Sequence, residues 1–350
     1  VLSMLRNPQV FSSASFFASL TGDLSPFAPE APAMISMDPP SHTRLRKLVN
    51  RAFTPRRVAS LETHLRAVTQ QLLEPMGTGG TCDLVRDLAV PLPVIAIAEL
   101  LGVPPERRHD FRRWTDAIVR AANGAAVTEE ERPEIRQLFV EFRAYFQAAI
   151  TAYRQTPSDN LLSDLVRAEE EQQTLTGEEI LSLAVLLLLG GSETTTNLIG
   201  SAVLALLDHP QMLATVRANP ALTPNVLEET LRYEAPIQWF PRQAMQEVHI
   251  AGTTVPAGTM LMALYGSANH DEGKFPDPER FDILRNPEGH LTFGFGIHFC
   301  LGAQLARLEA RVALEGLLRR FPHLARTGER ITRVESIIAR GPKTLPLTVS

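Results

Sequence analysis

The chain has 350 residues, of which 44% are hydrophobic and 21% charged, as is typical of globular proteins. Its formal net charge of -5 argues against nucleic acid as the main partner, because nucleic-acid-binding proteins usually carry a basic excess. The two cysteines, Cys82 and Cys300, are too few for a disulfide framework, and no secretory signal is visible, so we expect a cytoplasmic protein.

Helical periodicity dominates the chain as far as residue 236. Val1 to Leu5 resembles the inside of a helix rather than a natural start, so we expect the chain to be incomplete at its N-terminus. Thr54-Pro55 pairs a capping residue with a proline at the first helical position, which predicts a helix start. Further helices are predicted from His42 and over Pro91 to Leu101, Glu106 to Ala122 and Pro133 to Tyr153.

The longest predicted helix begins with the capping box Thr176-Gly177-Glu178-Glu179 and ends at His209-Pro210. About thirty residues at a rise of 1.5 Å make it about 45 Å long. Its sequence is apolar almost throughout, which places it in the middle of the molecule. Its most apolar run, Ile180 to Leu189, is far shorter than the ~20 residues of a membrane span, so we expect no membrane association.

The pattern changes after another helix, which begins at Thr223-Pro224 and ends near Glu234. Short β segments separated by glycine and proline turns follow at Val248 to Ile250, Thr253 to Val255 and Met260 to Leu264. A last helix is predicted over Ala303 to Arg320, and a terminal hairpin from Ile337-Ile338 and Leu345 to Val349. The sequence therefore predicts one mainly α domain over residues 1–350, with a small β region.

The loop before the last helix, Phe293-Gly-Phe-Gly-Ile-His-Phe-Cys-Leu-Gly302, carries the strongest chemical signal. A lone cysteine is usually a small buried hydrophobic residue, which is our interpretation of Cys82. Cys300 instead lies at a helix N-terminus, where free N–H groups and the helix dipole favour a thiolate. The glycines let the backbone approach a flat ligand, on which the flanking aromatic rings can pack. Zinc is disfavoured, because no further cysteine or paired histidine has zinc-site spacing.

This loop, F-G-x-G-x-x-x-C-L-G, resembles the haem-binding signature of the cytochrome P-450 family. The resemblance implies the cytochrome P-450 fold, with a long central helix over a haem b (iron protoporphyrin IX), the iron bound by Cys300, and Phe293 and Gly302 beside the haem. A thiolate ligand pushes electron density onto the iron and favours O–O cleavage. The chain resembles the short bacterial members, which normally have a helix and strands before the position of Val1.

The segment Gly190-Gly191-Ser192-Glu193-Thr194-Thr195 interrupts the long apolar helix. Each glycine costs roughly 1 kcal/mol relative to alanine. One interpretation is close packing against another helix. The other is a local opening for dioxygen, because the Thr194 hydroxyl can reach the Gly190 carbonyl four residues earlier. The segment resembles the family's acid–alcohol pair, which implies that Glu193 relays protons and Thr194 holds a water.

Two further sets of charged residues resemble family elements. Glu229-Thr230-Leu231-Arg232 resembles the E-x-x-R element; such a pair alone is usually a surface ion pair worth a few tenths of a kcal/mol. The resemblance implies a structural role for Glu229 and Arg232 behind the haem. Taken singly, the cations of the other set are typical solvated surface groups, but the resemblance implies that they bind the haem propionates: His42, Arg46, Arg242 and His298.

The resemblance implies a haem-thiolate monooxygenase that inserts one oxygen atom from dioxygen into an apolar small molecule by hydroxylation or epoxidation. The alternatives are a peroxygenase or isomerase on the same fold, and a catalytically inactive haem-binding fragment. The Glu193–Thr194 pair favours the monooxygenase. Substrate contacts, including Gly190, Ile237 and Phe240, are expected from mostly apolar segments, which suit a lipid, terpenoid, steroid or polyketide: 16–27, 122–127, 186–190, 237–240 and 337–338.

A monooxygenase needs two electrons, and the sequence contains no flavin or iron–sulfur motif. The expected donor is therefore a separate ferredoxin or flavodoxin with its NAD(P)H-dependent reductase. One basic cluster is either a solvated surface or a docking patch that attracts such an acidic donor: Arg44, Lys47, Arg51, Arg56 and Arg57.

Overall fold

The structure is a computed structural model that describes residues 1–14, 25–27, 30–77, 80–122, 127–170, 173–285 and 287–350. The helices in these residues, α1 to α13 in chain order, are Leu2–Arg6, Ser41–Ala52, Pro55–Ser60, Glu62–Met76, Pro91–Leu100, Arg108–Ala122, Arg132–Gln155, Leu161–Arg167, Gly177–Asp208, Pro210–Ala218, Thr223–Tyr233, Tyr265–Ala268 and Ala303–Arg320. The predicted helices begin and end within about two residues of these bounds, and the mainly α fold is confirmed.

The strands form small antiparallel sheets. In the described residues they are β1 to β10: Phe11–Ser12, Thr81–Asp83, Glu169–Glu170, Gln173–Thr174, Trp239–Ala244, Val248–Ile250, Thr253–Val255, Met260–Leu264, Leu324–Arg326 and Pro346–Val349. One sheet has the order β1-β5-β8, with Phe240 opposite Ala263, and another the order β2-β10-β9. The remaining strands form the hairpins β3-β4 and β6-β7.

The predicted terminal hairpin is wrong. Strand β10 pairs with β2, from far earlier in the chain, and with β9, so that Leu347 lies opposite both Cys82 and Arg326. The segment around Ile338 instead meets the start of β5, where the Gln238 N–H donates to the Ile338 carbonyl at 2.7 Å. These pairings join segments that are distant in sequence, so local alternation of apolar residues gave no signal for them.

Helix α9 forms the centre of the molecule. Its N-terminus has the predicted capping box: the Glu179 N–H donates to Thr176 Oγ1 at 3.1 Å, and the Thr176 N–H donates to Glu179 Oε2 at 2.8 Å. The helix packs against α5, α6, α11 and α13. By length and composition alone α9 is able to cross a membrane, but 61% of its most apolar window is buried inside the molecule, so its apolar surface builds the core.

A buried ion pair joins α11 to the segment that leads to the cysteine loop. Glu229 and Arg232 are both 0% exposed, and Arg232 donates to the Glu229 carboxylate through Nε at 2.9 Å and Nη2 at 2.8 Å. The guanidinium also donates to the carbonyls of Asn269, Pro278 and Arg280 at 2.9–3.2 Å. The pair is therefore no surface ion pair, and it fixes the course of residues 269–282.

Removing one partner of this pair leaves a buried charge without compensation. We expect Arg232→Met to lower the free energy of unfolding by about 3–5 kcal/mol, measured by denaturant titration. Arg66→Met is the matched control, because Arg66 is partly exposed and pairs with Glu62 at 2.7 Å and Glu315 at 2.8 Å on the surface. That variant should lose at most about 1 kcal/mol. Equal losses in the two variants would contradict the structural role.

Candidate active site

A largely apolar cavity lies between α9, the loop 293–302 and the first turns of α13. Its lining includes the following predicted site residues: His42, Arg46, Gly190, Glu193, Thr194, Ile237, Phe240, Phe293, His298, Cys300 and Gly302. Arg242 lies just behind this lining, with its guanidinium beside the Tyr265 side chain, which lines the cavity. Glu229 and Arg232 lie outside it. The fold thus brings residues from distant parts of the chain to one cavity.

The cysteine loop depends on its glycines. Gly294 and Gly296 have φ values of 72° and 71°, a left-handed conformation that other residues rarely adopt. A Cβ atom on Gly296 would also lie 2.8 Å from the Leu5 carbonyl oxygen. The loop closes where the Cys300 N–H donates to the Phe293 carbonyl at 2.8 Å. This turn fixes the Cys300 side chain at the floor of the cavity.

The Cys300 thiol opens on the cavity but is shielded from bulk water, and this burial raises its pKa. The backbone N–H groups of Gly302 and Ala303 and the guanidinium groups of Arg46 and Arg307 act in the opposite direction. The sequence predicted that the helix N-terminus favours a thiolate, but in the structure burial outweighs that effect. A bound metal cation deprotonates a coordinating thiol outright, so this thiol suits a metal ligand.

Two histidine rings meet beside the thiol, with the centroids of His42 and His298 4.3 Å apart. Burial lowers the pKa of His42 to about 4 and that of His298 to about 3, and in both cases the positive charge of Arg46 adds to the effect. His42 is 2% exposed. In the described part of the chain, His42 Nδ1 and His298 Nε2 have no hydrogen-bond partner. Buried polar atoms of this kind normally have one.

The arginines of this cluster have no carboxylate partner among the residues that the structure describes. Arg242 is buried and donates to the Pro241 carbonyl at 2.7 Å, and Arg46 is half-buried. The carboxylate of Asp38, whose charge acts on His42, accepts hydrogen bonds from the Ser12 hydroxyl and the Ser13 N–H. Histidine nitrogens without a partner and guanidinium groups without a carboxylate, in the described residues around this thiol, fit a haem, whose propionates would accept from them and whose iron Cys300 would bind.

The two glycines of α9 have different surroundings. A Cβ on Gly191 would lie 2.6 Å from Ile97 Cδ1 on α5, whereas a Cβ on Gly190 would meet nothing within 4 Å. Thr194 Oγ1 donates to the Gly190 carbonyl at 2.5 Å, as the spacing predicted. Gly191 therefore allows close packing against α5, and Gly190 leaves space beside Thr194; the opening for dioxygen stays a prediction.

The expected substrate segments are only partly described. Residues 15–24, 28–29 and 123–126 lie outside the described residues. Of the rest, the following line the cavity: Ala122, Leu186, Leu187, Leu189, Gly190, Ile237, Phe240 and Ile338. Ile337 does not, because it is 77% exposed and only its carbonyl is used, as acceptor for Trp239 Nε1 at 2.6 Å.

Sequence reasoning missed Glu309, an acidic residue of α13 that also lines the cavity. It is 1% exposed. A signal was present, because Glu309 lies four residues after Leu305 and three before Val312, and these spacings place it on the buried face of the helix.

Comparison with known proteins agrees with this geometry. Residues 125–349 match the family model described as Cytochrome P450. The chain is 40% identical to Steroid C26-monooxygenase of Mycobacterium tuberculosis over 324 residues, which cover 93% of this chain and 85% of that protein. It is 41% identical to 6-deoxyerythronolide B hydroxylase of Saccharopolyspora erythraea over 318 residues, 90% and 77% of the two chains.

A solved structure gives the same result. Cytochrome P450 CYP109Q5 from Chondromyces apiculatus superposes with a TM-score of 0.92 at 42% identity, and the match covers 100% of this chain and 87% of that one. The family model, the relatives and the solved structure all assign the chain to the family whose signature the cysteine loop resembles. The chain therefore belongs to the cytochrome P450 family and is a cytochrome P450 monooxygenase.

Proposed function

We propose that the chain, as one cytoplasmic domain, binds haem b through Cys300 and inserts one oxygen atom into a large apolar substrate by hydroxylation or epoxidation. The observation that supports this most is the single thiol at the floor of an apolar cavity, beside unpartnered nitrogen donors. The haem, when bound, supplies the activation of dioxygen. His42, Arg46, Arg242 and His298 would hold its propionates.

The substrate class follows from the lining and from the relatives. Leucine side chains of α9 and the rings and aliphatic groups of Phe240, Ile237 and Ile338 offer few polar contacts. Two relatives carry names that refer to a steroid and to 6-deoxyerythronolide B, and another is named for polyketide biosynthesis. We propose a steroid or polyketide substrate that is oriented by shape more than by hydrogen bonds.

Replacement of the iron ligand tests the proposal directly. With carbon monoxide, the reduced haem-loaded protein should show the red-shifted Soret band of a thiolate-ligated haem, and Cys300→Ala should lose that band. Cys82→Ala is the matched control, because Cys82 is buried in strand β2, where burial raises its pKa to about 11. It should keep the spectrum. A red-shifted band in Cys300→Ala would overturn the assignment.

Thr194 and Glu193 have the proposed role of proton delivery. The Thr194 hydroxyl donates its hydrogen bond to the Gly190 carbonyl. Its oxygen can therefore accept a hydrogen bond from a water in the cavity. Glu193 lines the same cavity one residue earlier. Such a water would pass protons to the oxygen side of the haem, while the apolar lining excludes bulk solvent.

Loss of the Thr194 hydroxyl should uncouple electron use from product formation. We expect Thr194→Ala to keep haem and substrate binding, to form at least about tenfold less product per NAD(P)H, and to release hydrogen peroxide instead. Thr196→Ala is the control on the same helix, because Thr196 Oγ1 donates to the Ala89 carbonyl at 2.9 Å, away from the cavity. Unchanged product yield in Thr194→Ala would exclude this role.

The electron donor is proposed to be an acidic ferredoxin or flavodoxin, with its reductase. Two members of the predicted basic cluster form ion pairs within the protein. Arg44 pairs with Glu179, and Arg57 pairs with Asp159 and Asp164 at 2.6 Å each. Arg56 is exposed on α3, which packs against α13, the helix that follows Cys300. This places a cation on the Cys300 side of the molecule, where electrons would enter.

Charge reversal at Arg56 should weaken this attraction, and Arg56 has no ion pair with another residue that the structure describes. We expect Arg56→Glu to slow reduction by the donor severalfold at low ionic strength, with the difference vanishing in high salt, since screening acts within ~8–10 Å. Substrate affinity should not change. Arg319→Glu, at the far end of α13 from Cys300, is the control. Equal reduction rates of all three proteins at low salt would show that the donor docks elsewhere.

A further inference from the structure

Arg307 of α13 and Glu228 of α11 form an ion pair that no step of the proposed reaction uses. Arg307 donates to the Glu228 carboxylate through Nε at 2.5 Å and through Nη2 at 2.9 Å, a bidentate contact that fixes the orientation of the guanidinium. Neither residue lines the cavity that contains Thr194. The pair therefore lies outside the space proposed for substrate and water.

A third residue, His290, also holds the Glu228 carboxylate. His290 Nε2 lies 3.2 Å from Glu228 Oε2, and it is the donor because an ionised carboxylate can only accept. Burial raises the pKa of Glu228, but the hydrogen bonds from Arg307 and His290 outweigh this effect and lower the pKa to about 2. Glu228 therefore keeps its negative charge at neutral pH and holds Arg307 in place.

The guanidinium of Arg307 lies over the ring of Phe293, the first residue of the cysteine loop. Its Cζ atom is 4.4 Å from the ring centroid, which is close enough for a cation–π contact. Phe293 lines the cavity, and its carbonyl accepts from the Cys300 N–H at 2.8 Å. The contact thus places the positive end of the ion pair against the loop that carries Cys300.

The position of this charge matters because the ion pair is neutral as a whole. The electrostatic effect of such a pair on a neighbouring atom has the sign of the nearer charge. Burial raises the pKa of the Cys300 thiol, and the positive charge of Arg307 acts in the opposite direction. At the sulphur atom the guanidinium therefore outweighs Glu228, and the pair favours negative charge there.

We propose that Arg307, positioned by Glu228, raises the reduction potential of a haem iron bound to Cys300. The inference rests on the proposed function in that Cys300 binds the iron. In the reduction step the iron gains one electron, the ferredoxin or flavodoxin donor loses one, and Cys300 stays the ligand. A positive charge beside the thiolate stabilises the added negative charge, so it favours the reduced state.

Spectroelectrochemical titration of the haem-loaded, substrate-free protein measures this potential directly. At the wild-type midpoint we expect the ferrous-to-ferric ratio of Arg307→Gln to be at least about threefold lower, a shift of ~28 mV. Glu228→Gln removes the opposing charge, so its ratio should be at least about threefold higher. Arg311→Gln is the matched control, because Arg311 lies one turn further along α13 and pairs with Glu62 of α4 at 2.9 Å. Its midpoint should equal that of the wild type.

Opposite shifts in the two variants separate an effect of charge from a structural one. A loosened cysteine loop would move both midpoints in the same direction, so two shifts of one sign would overturn the proposal. Arg307→Lys keeps the positive charge but lacks the flat guanidinium. We expect it to restore at least half of the shift, and a midpoint equal to that of Arg307→Gln would contradict the inference.

The carbon monoxide spectrum distinguishes this inference from the proposed function. The red-shifted Soret band shows thiolate ligation, and its absence from the wild type would overturn the proposed function. An unchanged midpoint in an Arg307→Gln protein that has the band overturns the inference alone. Should Arg307→Gln fail to bind haem, Glu228→Gln decides the question, since a midpoint that does not rise in that variant excludes the proposed effect of charge.

Discussion

The buried Glu229–Arg232 ion pair is the interaction on which the site depends. Its guanidinium holds the Asn269 carbonyl, and the Asn269 amide donates to Thr292 Oγ1 at 2.8 Å and accepts from the Leu291 N–H at 2.7 Å. Thr292 precedes the cysteine loop and donates to the Leu231 carbonyl at 2.5 Å. The next residue's carbonyl accepts from the Cys300 N–H. Hydrogen bonds thus link the ion pair to Thr292, and the adjoining residue, Phe293, is hydrogen-bonded to the Cys300 backbone.

Such a pair is a weak source of net stability, because desolvation of two charges offsets their attraction. Its value here is positional: Arg232 directs its donors to three separate carbonyls, which few other side chains can reach together. The polar groups that line the cavity differ from this pair in their hydrogen bonding. His42 Nδ1, His298 Nε2 and Glu309 Oε2 are shielded and have no hydrogen-bond partner in the described residues. The fold thus pairs Glu229 with Arg232 behind the cavity and leaves donors and acceptors inside the cavity for ligands and water.

The helices were predictable from the sequence because their signals are local. Thr54-Pro55, the capping box at Thr176 and the apolar periodicity each lie within a few residues of the helix they define. Strands β1 and β2 have two and three residues and pair only with distant segments, so no local pattern marks them. The positions of the site residues came from motif resemblance. The protonation states of these residues could not be predicted in this way, because protonation depends on burial, which a sequence motif does not encode.

Burial decides the electrostatics of this site. It raises the pKa of the thiol and lowers the pKa of both histidines, and the guanidinium groups of Arg46, Arg242 and Arg307 lie near these three groups. Arg307 is neutralised by Glu228. Arg46 and Arg242 have no carboxylate partner in the described part of the chain, and the propionates of a haem would supply one, while its iron would favour the thiolate that burial alone disfavours. A group with anionic oxygens at its edge and a metal cation at its centre would therefore suit both the guanidinium groups and the thiol, and a haem is such a group.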